Sequence, residues 1–139
     1  MTKKTPQTCF LSLGTNLGDK AHNLDEALRL IGERVGEVKK VSSYLETEPW
    51  GFATQNSFLN ACVEVATSLS PREVLMATQG IERELGRTRK SRNGVYHDRL
   101  IDIDILLYGE LTIDEPDLKI PHPLMEQRDF VMIPLNEIK

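Results

Sequence analysis

The sequence predicts an α+β domain: an antiparallel sheet with its helices on one face and a ligand site on the other. Three observations predict it. Strand-like and helix-like runs follow one another in the order β-α-β-β-α-β, with shorter extras behind them. Only two segments carry strong helical spacing, too few to cover both faces of four strands, so both go to one face. Asn60, Asp102 and Asp104 interrupt strands that are otherwise apolar, and they are accounted for if the opposite face looks onto a pocket.

A chain of 139 residues suits one domain with a proper core. Residues 1–7 are polar and read as a flexible tail; residues 8–139 form the domain. Thr8 to Leu13 is a short apolar strand that runs into the turn-rich Gly14-Thr15-Asn16-Leu17-Gly18-Asp19. Gly14 reads as a turn glycine, and also as a place where backbone could come close to a ligand. Leu24, Ala27, Leu28, Ile31 and Val35 recur at helical spacing over residues 20–35, with Asp19 or Asn23 as cap and Gly36 as stop. Val38 to Glu48 reads as one strand, broken by Glu48-Pro49-Trp50-Gly51-Phe52. Trp50 suits either a lid over a flat ligand or a plug at the core edge.

Phe58 to Thr67 is the next strand. The Asn60 amide offers a donor and an acceptor, which matches a heterocycle edge, although a backbone partner would satisfy it equally. Ser70-Pro71-Arg72-Glu73 is a capping box opening a second helix, which Gly86 ends. The strand Arg99 to Tyr108 follows, with Ile101, Ile103, Ile105 and Leu107 on one face and Asp102 and Asp104 on the other. A small hairpin is expected over Gly109 to Ile113. His122 is pinned between Pro121 and Pro123. Leu124 to Arg128 forms a helical turn, and Phe130 to Leu135 a closing strand or extended piece. The main order is the ferredoxin-like βαββαβ arrangement with C-terminal extras.

Asp102 and Asp104 lie roughly 6.5–7 Å apart along one face, a span that divalent cations bridge. Hard oxygen ligands suit Mg²⁺, which takes one or two carboxylates plus substrate phosphates. Between Arg87 and Arg99 stand five cations: Arg87, Arg89, Lys90, Arg92 and Arg99. Cations beside paired carboxylates suit a metal–polyphosphate site, with arginine forks on the phosphate oxygens. The chain as a whole is acidic, with a net charge of -4, which argues against broad nucleic-acid binding. No apolar run is long enough to span a membrane, and Met1 to Gln7 lacks the apolar core of a signal peptide. Cys9 and Cys62 sit in apolar runs and read as buried thiols, in keeping with a cytoplasmic protein.

These motifs resemble the 6-hydroxymethyl-7,8-dihydropterin pyrophosphokinases of folate synthesis. The matching pieces are Leu13 to Asp19, Tyr44 to Gly51, Phe58 to Ala61, Ile81 to Arg87, Arg99 to Gly109 and Ile120 to Pro123, with Arg128 and Phe130. The resemblance implies transfer of the terminal diphosphate of ATP to the pterin hydroxymethyl group, with release of AMP. It implies two Mg²⁺ ions on Asp102 and Asp104. Arg87, Arg89, Arg99 and His122 then contact or gate over the triphosphate, with Arg128 near the phosphates. Glu82 and Tyr96 match ATP-site positions. Asn60 and Phe58 match the pterin pocket, with Phe130 stacking from the other side, Thr47 and Trp50 giving backbone contacts and Gly14 lining the region.

The sequence departs from the pattern in places. Phe58 replaces a tyrosine of many relatives, the loop between Arg89 and Arg99 is longer than in some, and Asp117 and Lys119 replace ATP-contacting residues of other types. Arg92 has no assigned role, and no residue is singled out as general base. Many relatives continue beyond the stretch Phe130 to Leu135. The expected partners are ATP and hydroxymethyldihydropterin, with no nucleic acid or membrane, in a monomer or weak dimer. Two other readings remain: a palm-like nucleotidyltransferase, which would release pyrophosphate rather than AMP, and a non-catalytic ligand-binding domain indifferent to Mg²⁺.

Overall fold

The computed structural model describes residues 5–47, 57–86 and 100–139. Strand β1 (Gln7–Thr15) is central, and it begins inside the predicted tail. Helix α1 (Lys20–Arg34) follows, then β2 (Glu37–Val41), β3 (Leu45–Thr47) and β4 (Phe58–Thr67). Helix α2 (Pro71–Gly86) leads to β5 (Asp102–Tyr108). The strand order is β2-β4-β1-β5, with β3 also on β4, and every pairing is antiparallel.

Local chemistry explains the helices. Asp19 caps α1 by accepting from the His22 N–H at 3.2 Å. Asn23 instead donates to the Leu17 carbonyl at 2.8 Å and the Thr15 hydroxyl at 3.2 Å, pinning the preceding loop. The capping box of α2 forms in both directions: the Glu73 N–H donates to Ser70 Oγ, and the Ser70 N–H donates to Glu73 Oε1. Both helices bury their apolar stripes on one sheet face. Leu24, Ala27 and Ile31 of α1 and Val74 and Ile81 of α2 meet Leu11, Val63 and Ile103 there. Cys9 belongs to this core, and its thiol is pushed up to about 12 by burial. Cys62 is likewise buried and free, on the other side of the sheet.

Five expectations need correction. The segment Phe130 to Leu135 is not a strand; it belongs to helix α3 (Asp129–Ile138). Val131, Leu135 and Ile138, at i, i+4 and i+7, pack on Phe10, Cys62 and Leu106. The helices are therefore not confined to one face of the sheet, because α3 covers part of the second. Leu107 does not share a face with Ile103 and Ile105. The β1–β5 register shifts between Phe10 and Leu11, so that Leu106 is inserted and both Leu106 and Leu107 turn toward α3. The strand expected from Val38 to Glu48 is two strands. Between them the Ser42 N–H donates to the Cys62 carbonyl, and Ser42 Oγ accepts from the Cys62 N–H, so a hydroxyl replaces the next ladder carbonyl. The small hairpin lies later than expected, between β6 (Ile113–Glu115) and β7 (Leu118–Ile120). A short 3-10 turn, Met125–Gln127, fills the predicted helical turn ahead of α3.

Candidate active site

The part of the second face next to α3 is built in rows. Leu45, Asn60, Gly14 and Asp102 stand side by side across β3, β4, β1 and β5. The next row holds Cys62, Ser12 and Asp104. Asn60 and Asp102 are thus two strand spacings apart, roughly 10 Å. Asn60 is buried, and its Nδ2 donates to Thr47 Oγ1 at 3.0 Å. Its Oδ1 lies 3.0 Å from where a Cβ on Gly14 would stand, so the missing side chain makes room for the amide. Phe58, half-buried, pairs with Thr47 at the end of this ladder. Ser12, nearly buried opposite Asp104, was missed from sequence, although the alternation Phe10, Ser12, Gly14 carries the signal.

Asp102 and Asp104 are both half-buried, with the buried Ile103 between them. Glu82 reaches them from α2, and its Oε2 accepts from the Ile103 N–H at 2.7 Å. Burial pushes the Glu82 carboxyl up to about 7, against the Ile103 bond, and the negative charges of Asp102 and Asp104 and a side-chain hydrogen bond with Asp102 push the same way. A raised carboxyl pKa means that the folded state holds a proton the unfolded chain has lost. Stability therefore falls as pH rises from about 4.5 through about 7. Glu82→Gln removes this titration while keeping an acceptor. In metal-free protein the variant is expected to gain about 1–3 kcal/mol over wild type at pH 8 and little at pH 4. Urea unfolding at the two pH values checks this, and an equal gain at both would disprove the linkage.

The donor set fits a hard cation. The two aspartates offer oxygen only, while the Cys62 thiol is buried against the Val131 carbonyl at 3.6 Å. Among the described residues no three His, Cys, Asp or Glu side chains form a metal cage. Such a site leaves coordination positions for water and substrate oxygens.

A profile of the family described as 7,8-dihydro-6-hydroxymethylpterin-pyrophosphokinase matches residues 10–139. The chain belongs to this family. It is 52% identical over 130 residues to the 2-amino-4-hydroxy-6-hydroxymethyldihydropteridine pyrophosphokinase of Porphyromonas gingivalis, covering 93% of this chain and 88% of that one. It is 46% identical over 130 residues to the enzyme of that name from Bacillus subtilis, covering 93% of this chain and 76% of that one. Among solved structures, a Plasmodium falciparum HPPK-DHPS superposes with a TM-score of 0.77 at 18% identity. That likeness covers 99% of this chain and 40% of the longer one, and it speaks for the fold.

The expected pyrophosphokinase residues fall into three groups. Gly14, Thr47, Phe58 and Asn60 gather at one end of the open face, with Asp102, Asp104 and Glu82 across β1 from them. Two others have contacts of their own. His122 bonds through its backbone N–H to the Leu106 carbonyl beside β5, and its Nδ1 accepts from the Leu124 N–H at 3.3 Å. The Arg128 guanidinium lies 5.7 Å from the centre of the Phe130 ring at the start of α3. Trp50, Arg87, Arg89, Tyr96 and Arg99 lie outside the described residues, as does Arg92. Asp117 and Lys119 make surface ion pairs, with Arg72 at 3.0 Å and Asp114 at 2.6 Å respectively. Among the described residues no helix is long and apolar enough to cross a membrane.

Proposed function

We infer that this chain transfers the β,γ-diphosphate of ATP to the hydroxymethyl group of 6-hydroxymethyl-7,8-dihydropterin and releases AMP, a step of tetrahydrofolate biosynthesis. One observation carries the reading. A buried amide and a carboxylate pair share one sheet face, with a glycine in the row between them whose missing side chain makes room for the amide. The hydroxymethyl oxygen forms a bond to Pβ, and the bond from Pβ to the α–β bridging oxygen breaks. AMP leaves with that oxygen, and the alcohol proton passes to solvent. Two Mg²⁺ ions held by Asp102 and Asp104 would offset the triphosphate charge when bound. Asn60 reads the pterin edge through its donor and acceptor, while Phe58 and Phe130 stack on its faces. Thr47 and Trp50 add backbone contacts. Arg87, Arg89, Arg99, Arg128 and His122 take phosphate oxygens, and Tyr96 completes the ATP side.

The strand order and the βαββαβ succession support a ferredoxin-like description of the domain. We place the protein in the cytoplasm as a monomer or weak dimer, acting on small molecules and on neither nucleic acid nor membrane. The deciding experiment mixes the protein with ATP, Mg²⁺ and hydroxymethyldihydropterin. AMP and pterin diphosphate are expected in equal amounts. Pyrophosphate release would favour a nucleotidyltransferase, and ligand binding without turnover a binding domain.

Two variants probe the two ends of the site. Gly14→Ala forces the Asn60 carboxamide aside, so the KM for pterin is expected to rise roughly tenfold, with the KM for ATP little changed. An unchanged pterin KM would remove Asn60 from the pocket. Arg99→Ala is expected to lower kcat by about 10²-fold or more while leaving pterin affinity, measured by titration, within about threefold. Equal losses of both would make Arg99 a binding or structural residue.

A further inference from the structure

Among the described residues, β5 is an edge strand of its sheet, with β1 on one side and no strand paired on the other. Its outward N–H groups therefore need partners from elsewhere. The one at Ile103 has such a partner: Glu82 Oε2 accepts it at 2.7 Å. Ile103 is the residue between the two aspartates, and its side chain points into the opposite core. Its peptide planes fix the directions in which Asp102 and Asp104 leave the strand. Glu82 is itself held firmly, because its neighbour Ile81 and the preceding turn's Thr78 are buried in α2's packed stripe. A third carboxylate beside two others is a local conflict that packing alone would not favour. A neutral acceptor would serve stability better, and conflicts of this kind gather at functional sites.

We propose that Glu82 is a positioning residue, an acceptor that clamps the Ile103 peptide so that Asp102 and Asp104 present their oxygens to the metal together, rather than a contact of ATP. The proposal rests on the reading of Asp102 and Asp104 as Mg²⁺ ligands. It concerns how they are held, and its first test needs neither metal nor turnover. In metal-free protein, amide exchange at Ile103 is measured in wild type, Glu82→Gln and Glu82→Leu. The glutamine variant keeps an oxygen acceptor and is expected to keep Ile103 protected. The leucine variant removes the acceptor and is expected to speed exchange there by tenfold or more, as a lost 1.4 kcal/mol of protection would, with the exchange of Leu11 and Val63 unchanged. Uniformly faster exchange would mean general unfolding and would overturn a local clamp.

The second test titrates Mg²⁺ against the initial rate of AMP formation at saturating pterin. Loss of a group that orients a metal ligand costs about 10–100-fold in metal affinity. Glu82→Leu is therefore expected to raise the half-saturating Mg²⁺ at least about tenfold and leave the pterin KM within twofold, while Glu82→Gln stays within about threefold of wild type on both. Equal losses in the two variants would mean that the charge, not the acceptor, matters, and would overturn the proposal. So would a raised KM for ATP with unchanged Mg²⁺ dependence, the mark of direct contact. A wild-type protein that makes no AMP would defeat the functional reading instead, leaving the exchange result to decide the clamp.

Discussion

Alanine at Asp102 or at Asp104 is expected to lower AMP formation by about 10³-fold or more, about 4 kcal/mol of transition-state stabilisation, in a protein that remains folded. Both side chains are half-buried on the open face and take no part in either apolar cluster. Their removal creates no cavity in the core. At Asp104 it also takes a like charge from beside Glu82, so the melting temperature is expected to hold or rise, while at Asp102 that relief is offset by loss of a side-chain hydrogen bond with Glu82. The near-isosteric Asp102→Asn and Asp104→Asn should lose almost as much turnover, because an amide oxygen is a poor substitute for a charged Mg²⁺ ligand. Initial rates across a range of Mg²⁺, beside thermal unfolding curves, measure both sides of the prediction. Turnover near the wild-type level in either alanine variant would defeat the assignment of metal to that aspartate. A collapse of stability would instead show that the aspartates serve the fold.

What could be read from sequence was whatever depends on neighbours along the chain. The period-2 alternation around Asp102 and Asp104, the helical spacing of Leu24 to Ile31 and the capping box at Ser70 are local, and each element formed where its pattern lies. The losses came from long-range pairing. The register shift at Phe10 and Leu11 belongs to two strands at once, so nothing within β5 announces that Leu107 changes sides. Helix α3 was concealed by Pro134 and by a short run, Phe130 to Ile133, that suits a strand as well. Its helical period appears only when Val131, Leu135 and Ile138 are taken together across the polar Asn136 and Glu137. The residue types of the site were legible, because Asn60, Asp102 and Asp104 sit badly on buried strands. Their adjacency was not, since it requires β1 to lie between β4 and β5 with Gly14 in the row between them. The Ile103–Glu82 bond needed α2 to lie along the outer edge of β5.

Gly36→Ala is expected to destabilise the fold by about 3 kcal/mol, the upper end of what overpacking costs and a large part of the 5–15 kcal/mol that holds a typical domain together. Gly36 joins the end of α1 to β2, and its N–H donates to the Ile31 carbonyl at 3.2 Å. A Cβ there would lie 2.2 Å from the Ala66 carbonyl oxygen and 2.9 Å from both the Ala66 carbonyl carbon and Thr67 Cα. All three are backbone atoms of β4, so no rotamer change relieves the clash. Either α1 lifts away or the first rung of the β2–β4 ladder, Glu37 opposite Ala66, opens. Lifting α1 also breaks the buried bond from Thr67 Oγ1 to the Val35 carbonyl at 2.6 Å. The entropy that alanine removes from the unfolded chain, worth about 0.4–1 kcal/mol, is too small to compensate. Gly32→Ala is the control. That position is exposed on α1, its nearest neighbour would be Val38 Cγ2 at 3.8 Å, and alanine there should stabilise by about 0.5–1 kcal/mol. Urea unfolding of the two variants should therefore move the midpoint in opposite directions. A Gly36→Ala midpoint at or above that of wild type would mean that the close approach of α1's end to β4 is not what holds this corner of the sheet.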